Sequence, residues 1–315
     1  QYWVRFYLPG DHTKGLPDSW LVYVDFQNFY DAAWFGCPVV YRADQVPDTV
    51  PILSDFNKRM LFDKGVPDPF AGEWAERALR YVDFFKGKQD KGWTFLGRPV
   101  VFGGHVSFLS ADGVFTVAAS LRGATELCTD LLADPEYVRE LLVFITESLV
   151  KRSKAWRKFL NMPDREDGFW AADDAIELIS LEAYEEFVLP RHVEYYGALA
   201  TEKDRGMHLC GDAQRHFGRI RERLGVSQFD TGFPVDFGEL RRTLGTEVLV
   251  CAEARVFRFF LKRIREALQT RRGVFWHPVF WKGGVLFCRK AITLRRARGS
   301  KTAKLSVESL KRPAS

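Results

Sequence analysis

The chain has 315 residues, 46% of them hydrophobic and 15% aromatic, and a formal net charge of +5 at pH 7. This is ample for a buried core and suits one large α/β domain or two smaller ones. No run of about 18 apolar residues occurs that could span a bilayer, and the opening QYWVRFYLPGD has no secretory signal pattern, so we expect neither a membrane-spanning nor a secreted protein.

The five cysteines are odd in number and widely spaced, which predicts free thiols and a cytoplasmic location. Because the sequence lacks an initiator Met, we expect it to begin inside a longer chain. Its charge is uneven: residues 251–315 have 17 Lys/Arg and 3 Asp/Glu, whereas residues 1–250 have 29 and 38. A basic tail after an acidic body often indicates nucleic-acid binding.

The first half of the chain predicts two buried strands and one long helix. Short apolar runs at 20–24 and 98–108 are typical of buried parallel strands. Asp134 before Pro135 is a good helix N-cap. The apolar residues that follow at helical spacing are Leu141, Leu142, Ile145 and Leu149.

From residue 168 onward, strands and helices alternate about every 25–30 residues, which predicts βα units and a parallel sheet. The strands are predicted in GFWAADD, GMHLCGD, VSQFDTG and EVLVC. The helices are predicted at 181–200, with a break at Pro190, at 213–224 and after Asp236. Gly225 and Gly245 end the last two helices. No dinucleotide or P-loop glycine motif follows any of these strands.

Polar side chains stand where successive strands end, as in the active sites of (β/α)₈ barrels. Asp173, Asp174 and Asp230 are predicted catalytic residues, although an Asp pair also commonly caps a loop. We expect His105, Arg122 and Asp174 to bind the substrate. His208 and Cys210 offer two zinc ligands of the three that a catalytic site needs. A packed cysteine beside a backbone-bonded histidine is the alternative.

The stretches AADDAIELISLEAYEEFVLPRHVEYY, MHLCGD and FDTGFPVDFGELRRTLG, in this order, resemble the uroporphyrinogen decarboxylase (URO-D) superfamily, which includes corrinoid-dependent methyltransferases. FTVAASLRGATELCTDLLADPEYVRELLVFI and QNFYDAAWFGCPVVY are similar to earlier parts of the family. The resemblance covers about residues 20–250. It implies an enzyme with a (β/α)₈ TIM barrel and a small-molecule substrate bound at the carboxyl ends of the strands.

Two motifs bear on the branch within the superfamily. The arginine-rich R-Q-A-G-R motif of true decarboxylases is absent from the sequence. The methyltransferase branch is marked by H-x-C and a distant Cys, which bind zinc and activate a thiol to take a methyl group from a corrinoid. His208 and Cys210 match the first half of that motif. The resemblance thus implies a methylcobamide-dependent methyltransferase, with a corrinoid protein as a further partner. A metal-free carboxy-lyase acting on a tetrapyrrole or another carboxylate is the alternative.

The resemblance ends near residue 252. Back-translated with suitable codons and read one nucleotide earlier, residues 252–308 can give a family-like ending, so we expect a frameshift near Cys251–Ala252. The predicted barrel domain is then 1–251, with its last βα units abnormal, and 252–315 is an artefactual basic segment that implies no nucleic-acid partner. Cys288, at the family's third-ligand position, would also be an artefact, because the reconstructed ending has Asn-Asn there. A catalytically decayed barrel and a basic-tailed binding protein remain the alternatives outside this class.

Overall fold

The computed structural model describes residues 17–43, 45–232, 234–252, 276–281 and 284–289; at residue 252 and in the last two ranges it describes the backbone alone. The chain divides into two compact units, residues 1–203 and 204–315. This division differs from the predicted domain boundary at residue 251, which stays a prediction. No helix in the described ranges is both long enough and apolar enough to cross a membrane.

The first unit contains six strands and eight helices within its described residues. The strands are β1 (Trp20–Val24), β2 (Val39–Val40), β3 (Asp48–Thr49), β4 (Thr94–Phe95), β5 (Arg98–Val106) and β6 (Trp170–Ala172). The helices are α1 (Tyr30–Trp34), α2 (Met60–Lys64), α3 (Glu73–Asp90), α4 (Val114–Arg122), α5 (Ala124–Ala133), α6 (Pro135–Phe159), α7 (Leu181–Ala183) and α8 (Leu189–Leu199). The predicted strands at 20–24 and 98–108 are confirmed as β1 and β5, which pair in parallel.

Helix α6 forms the centre of the first unit's core. The Asp134 side chain accepts a hydrogen bond from Tyr137 N and Pro135 occupies the first turn, so the predicted N-cap is confirmed. The predicted apolar stripe of Leu141, Leu142, Ile145 and Leu149 is completely buried. Burying one such side chain contributes about 1.5–3 kcal/mol, so this stripe anchors the helix in the unit.

The predicted helix at 181–200 is divided into two parts. Ser180 caps its start, with its hydroxyl accepting from Ala183 N. Residues 184–188 then form a π-helical turn before α8, where Pro190 lies in the first turn. The break follows from proline chemistry, because Pro190 has no N–H for the α-helical ladder. Widened turns of this kind frequently occur at functional sites.

Within its described residues, the second unit contains three parallel strands and two helices that belong to βα units. These are β7 (Gly206–Leu209), α9 (Phe217–Leu224), β8 (Gln228–Thr231), α10 (Phe237–Leu244) and β9 (Leu249–Ala252). The strands lie in the order β7-β8-β9. The backbone of β10 (Trp276–Trp281) and β11 (Gly284–Arg289) forms an antiparallel pair.

The helix ends in the second unit largely follow the predictions. Gly225 ends α9 in the left-handed conformation at φ 66°, and Asp236 caps α10 by accepting from Gly238 N and Glu239 N. The predicted start of α9 at residue 213 is wrong, because residues 213–216 form a turn with His216 N donating to Ala213 O at 2.9 Å. The fold therefore has the mixed α/β content and the parallel strands that the family resemblance implies. The described strands of each unit do not close a barrel by themselves, so the (β/α)₈ closure stays a prediction.

Candidate functional site

The alternation of side chains along β7 and β8 separates an apolar face from a polar face. Met207, Leu209 and Phe229 are completely buried, and the ring of Phe229 packs against Phe217 of α9 at 5.0 Å between centroids. Because neighbouring side chains on a strand point to opposite faces, His208 and Asp230 lie on the other face. Their side chains are 30% and 25% exposed, so solutes can reach them.

His208 makes two close contacts on this polar face. Its Nδ1 lies 2.9 Å from Asp230 Oδ2, its partner in the register of β7 and β8. Its Nε2 lies 2.9 Å from the half-buried Cys210 Sγ. Gly211 follows directly with φ 71°, a left-handed conformation that glycine adopts without strain. The backbone thus turns sharply just after the two residues of the H-x-C motif.

The register extends this row to β9. Asp230 pairs with the buried Cys251, so these side chains share the polar face with His208. Cys288 lies in β11, whose side chains are outside the described part of the chain. In the described ranges Cys37, Cys128, Cys210 and Cys251 form no disulfide.

The residues present fit zinc by the chemistry of their donor atoms. An imidazole nitrogen and a cysteine sulfur are both preferred zinc ligands, and the two atoms lie 2.9 Å apart. Two ligands of one tetrahedral zinc lie about 3.5 Å apart, so a small side-chain rotation would accommodate the ion. His208 and Cys210 therefore offer two donor atoms of the types that zinc prefers.

Asp173 lies in a different environment, in the first unit at the end of β6. Its carboxylate is fully buried and accepts hydrogen bonds from Phe115 N at 3.0 Å, Thr116 N at 2.7 Å and Thr116 Oγ1 at 2.8 Å. Its Oδ2 also lies 2.8 Å from His192 Nε2. Four contacts match the roughly four acceptor positions of a carboxylate. Groups of the protein thus occupy all the acceptor positions of the Asp173 carboxylate.

The contacts of Asp173 explain why helix α4 begins where it does. Phe115 and Thr116 belong to the first turn of α4, whose N-terminal N–H groups have no partner within the helix. The N-cap residue is Gly113, which has no side chain to accept from them. Asp173 supplies the missing acceptor from another element, and its negative charge is favoured at a helix N-terminus.

His192 and Tyr184, which were not among the predicted site residues, extend this buried network. Tyr184 Oη lies 3.1 Å from His192 Nδ1, and burial, followed by the charge of Asp173, raises the pKa of Tyr184 well above its usual value. A signal was available: His192 occurs at helical spacing among the buried residues Leu189, Tyr195 and Tyr196. A histidine on an otherwise apolar helix face needs a buried polar partner.

Arg122 also binds groups of the protein. Its Nε donates to Asp130 Oδ2 at 2.8 Å and its Nη2 to Asp55 Oδ1 at 2.5 Å. The hydrogen bond to Asp130 is the main cause that raises the pKa of Arg122. Burial works against ionisation of Asp130, but the bonds from Arg122 and Lys58 outweigh it and lower the Asp130 pKa. The ion pairs account for the position of Arg122 in the fold.

The remaining predicted substrate-binding residues lie at strand exits of the first unit. His105 is exposed near the end of β5, with its ring edge-on to Tyr23 at 6.1 Å. Asp174 is half-buried and begins the 3₁₀ turn at 174–178. The structure thus joins Asp230 to His208 and Cys210 in the second unit, and within the first unit it joins Asp173 to His192.

Two comparisons with known proteins support the family resemblance of the sequence. Residues 108–252 match the family model described as uroporphyrinogen decarboxylase (URO-D), whereas the comparison with curated proteins finds no match. Among solved structures, the chain is similar to a methyltransferase from Methanosarcina mazei, with a TM-score of 0.53 and 15% identity. The similarity covers 74% of this chain and 64% of that one, so the chain spans just under two thirds of that relative. Residues 108–252 thus match the uroporphyrinogen decarboxylase family, and the fold of the chain is similar to that of this methyltransferase.

Proposed function

We propose that the chain is a methyltransferase-like enzyme that uses zinc to move a methyl group from a corrinoid to a thiol. The observation that carries this proposal is the 2.9 Å contact between His208 Nε2 and Cys210 Sγ at the end of β7. An imidazole nitrogen and a cysteine sulfur on a partly exposed face suit zinc and leave access for a substrate. The corrinoid would be delivered by a separate corrinoid protein in the cytoplasm.

The roles of the residues follow from their environments. His208 and Cys210 would hold the zinc ion, which when bound lowers the pKa of a substrate thiol so that it is a nucleophile near neutral pH. Asp174 and His105 are our proposed substrate-binding residues, because each lies at a strand exit with part of its surface open to solvent. The saturated carboxylate of Asp173 and the ion pairs of Arg122 favour structural roles for these two residues.

A metal-free carboxy-lyase is the second candidate, and one observation favours it. His208 contacts both Asp230 and Cys210 within the protein, so these side chains form a connected hydrogen-bonded group without any ion. Such a group could deliver a proton to a carbanion formed by loss of carbon dioxide, as a general acid does.

Metal analysis of the full chain separates the two candidates. We expect about one zinc per chain in the wild type, and its loss in His208→Ala and Cys210→Ser. Cys128→Ser is the matched control, since Cys128 is a half-buried free thiol on α5, and it should keep the metal. With methylcobalamin as donor and a small thiol as acceptor, loss of the methyl–cobalt absorbance should require both ligands. A wild-type chain without zinc would exclude the methyltransferase version.

A further inference from the structure

Asp230 was predicted as a catalytic residue, but its contacts indicate a different task. Its Oδ2 lies 2.9 Å from His208 Nδ1, the ring nitrogen on the side away from Cys210. The two residues are register partners on adjacent parallel strands, which places their side chains next to each other on the polar face. The register of the two strands therefore brings Asp230 and His208 into contact.

We propose that Asp230 is a positioning residue that sets the tautomer and orientation of His208, so that Nε2 presents its lone pair on the side of Cys210. This inference rests on the proposed function, because it assigns Asp230 a task at the same zinc site. It gives the carboxylate no direct contact with the reacting atoms.

The hydrogen-bonding capacity of the groups requires this tautomer. An ionised carboxylate can only accept hydrogen bonds, so the nitrogen that faces Asp230 must carry the proton. A neutral imidazole has one N–H, so the proton at Nδ1 makes Nε2 an acceptor. Metal ligation needs this unprotonated nitrogen, and carboxylates commonly hold metal-binding histidines through the other nitrogen.

The surroundings keep Asp230 in this position. Its neighbours on β8, Phe229 and Thr231, are completely buried and point to the opposite face. Phe229 packs against Phe217 of α9, while β8 is bonded on both sides by β7 and β9. A shift of the Asp230 backbone away from His208 would therefore require movement of a central strand.

The first test measures the tautomer directly in the metal-free full chain. At one fixed pH, the ¹⁵N shifts of the His208 imidazole should show a protonated Nδ1 and an unprotonated Nε2. In Asp230→Ala we expect a mixture of the two tautomers. Gln228→Ala is the matched control, since Gln228 is on the same strand and face, two positions earlier, and it should leave the shifts unchanged.

The second test measures zinc affinity by competition with a chromophoric chelator. Asp230→Ala should bind zinc about 10–100-fold more weakly, the usual effect of losing an outer hydrogen-bond partner. Asp230→Asn should recover part of this loss, because its amide oxygen can still accept from Nδ1–H. Gln228→Ala should bind like the wild type. Far-ultraviolet circular dichroism of each variant checks that it is folded.

Failure of this inference can be distinguished from failure of the proposed function. A wild-type chain that binds no zinc contradicts the proposed function, whereas the tautomer measurement still decides the task of Asp230. A proton on Nε2 in the wild type would overturn the inference. So would wild-type zinc affinity in a folded Asp230→Ala variant.

Discussion

His192 Nε2 lies 2.8 Å from Asp173 Oδ2, and both side chains are buried in the first unit. The same carboxylate caps the start of α4 through Phe115 N and Thr116 N. One acidic side chain therefore joins the end of β6, the first turn of α4 and the middle of α8. This arrangement favours a structural role for Asp173 over the predicted catalytic one, and the two roles have different experimental consequences.

Replacing Asp173 by Ala should lower the free energy of unfolding by about 3–5 kcal/mol, because it leaves His192 and two backbone N–H groups without their acceptor. Urea denaturation followed by circular dichroism measures the loss. The control is Asp167→Ala, which removes exposed contacts to Thr201 and Lys203 and should leave the free energy of unfolding close to that of the wild type. An Asp173→Ala variant with wild-type stability but no activity would instead support the catalytic prediction.

Gly113 should be intolerant of a side chain for a steric reason beyond its backbone conformation. A Cβ there would lie 2.4 Å from both the Ala172 carbonyl oxygen and Asp173 Cγ, with φ at 102°. Gly36 has nearly the same φ, 105°, but nothing within 4 Å of a Cβ. Gly113→Ala should therefore destabilise the protein by about 1–3 kcal/mol more than Gly36→Ala, the usual cost of overpacking. Equal losses of melting temperature in the two variants would contradict the close approach.

The elements set by local chemistry could be predicted from the sequence, whereas the long-range contacts could not. The caps at Asp134 and Asp236 and the glycine at 225 act on groups only a few residues away, so the local sequence is enough to predict these helix ends. The bond between Asp173 and His192 depends on where α8 packs, and no spacing along the chain encodes that packing. His208 and Cys210 were predictable as a pair, because neighbouring alternate residues on a strand share a face.

The environment of Tyr184 predicts a loss of stability at high pH. Its phenol is kept neutral by burial and its pKa is raised, whereas in the unfolded chain it ionises near pH 10. The stabilisation that the neutral Tyr184 phenol gives to the folded protein is complete below about pH 10. It is lost as the pH rises from there toward the pKa of Tyr184 in the folded protein. Tyr184→Phe should reduce the slope of unfolding free energy against pH by about 1.4 kcal/mol per pH unit above pH 10.

Denaturation series between pH 8 and 11.5 measure this slope. At pH 8 the same variant should lose about 1 kcal/mol, because the hydrogen bond to His192 is gone. Tyr41→Phe is the control, since Tyr41 is 67% exposed, and its slope should equal that of the wild type. An unchanged slope in Tyr184→Phe would mean that the phenol reaches solvent in the folded protein.

Replacing Arg122 distinguishes its predicted role in substrate binding from a structural role as an ion-pair partner. Arg122→Met should lower the unfolding free energy by about 3 kcal/mol, near the lower end for a broken buried pair, because Lys58 still contacts Asp130. Arg59→Met removes an exposed pair with Glu140 and should cost less than about 1 kcal/mol. A raised KM with unchanged stability in Arg122→Met would restore the substrate-binding interpretation.

The change of composition near residue 252 leads to a prediction about the coding DNA. The family match ends at residue 252, where the basic segment predicted to be frameshifted begins. Resequencing across the codons for Val250 to Ala254 should reveal a single-nucleotide insertion or deletion. The corrected frame should encode an acidic, family-like ending, because a random shift would not restore helix caps and acidic residues together. Tryptic peptides of the expressed protein, measured by mass spectrometry, would identify the frame in use. Unshifted DNA with peptides from residues 252–315 would contradict the frameshift and make the basic segment a native part of the chain.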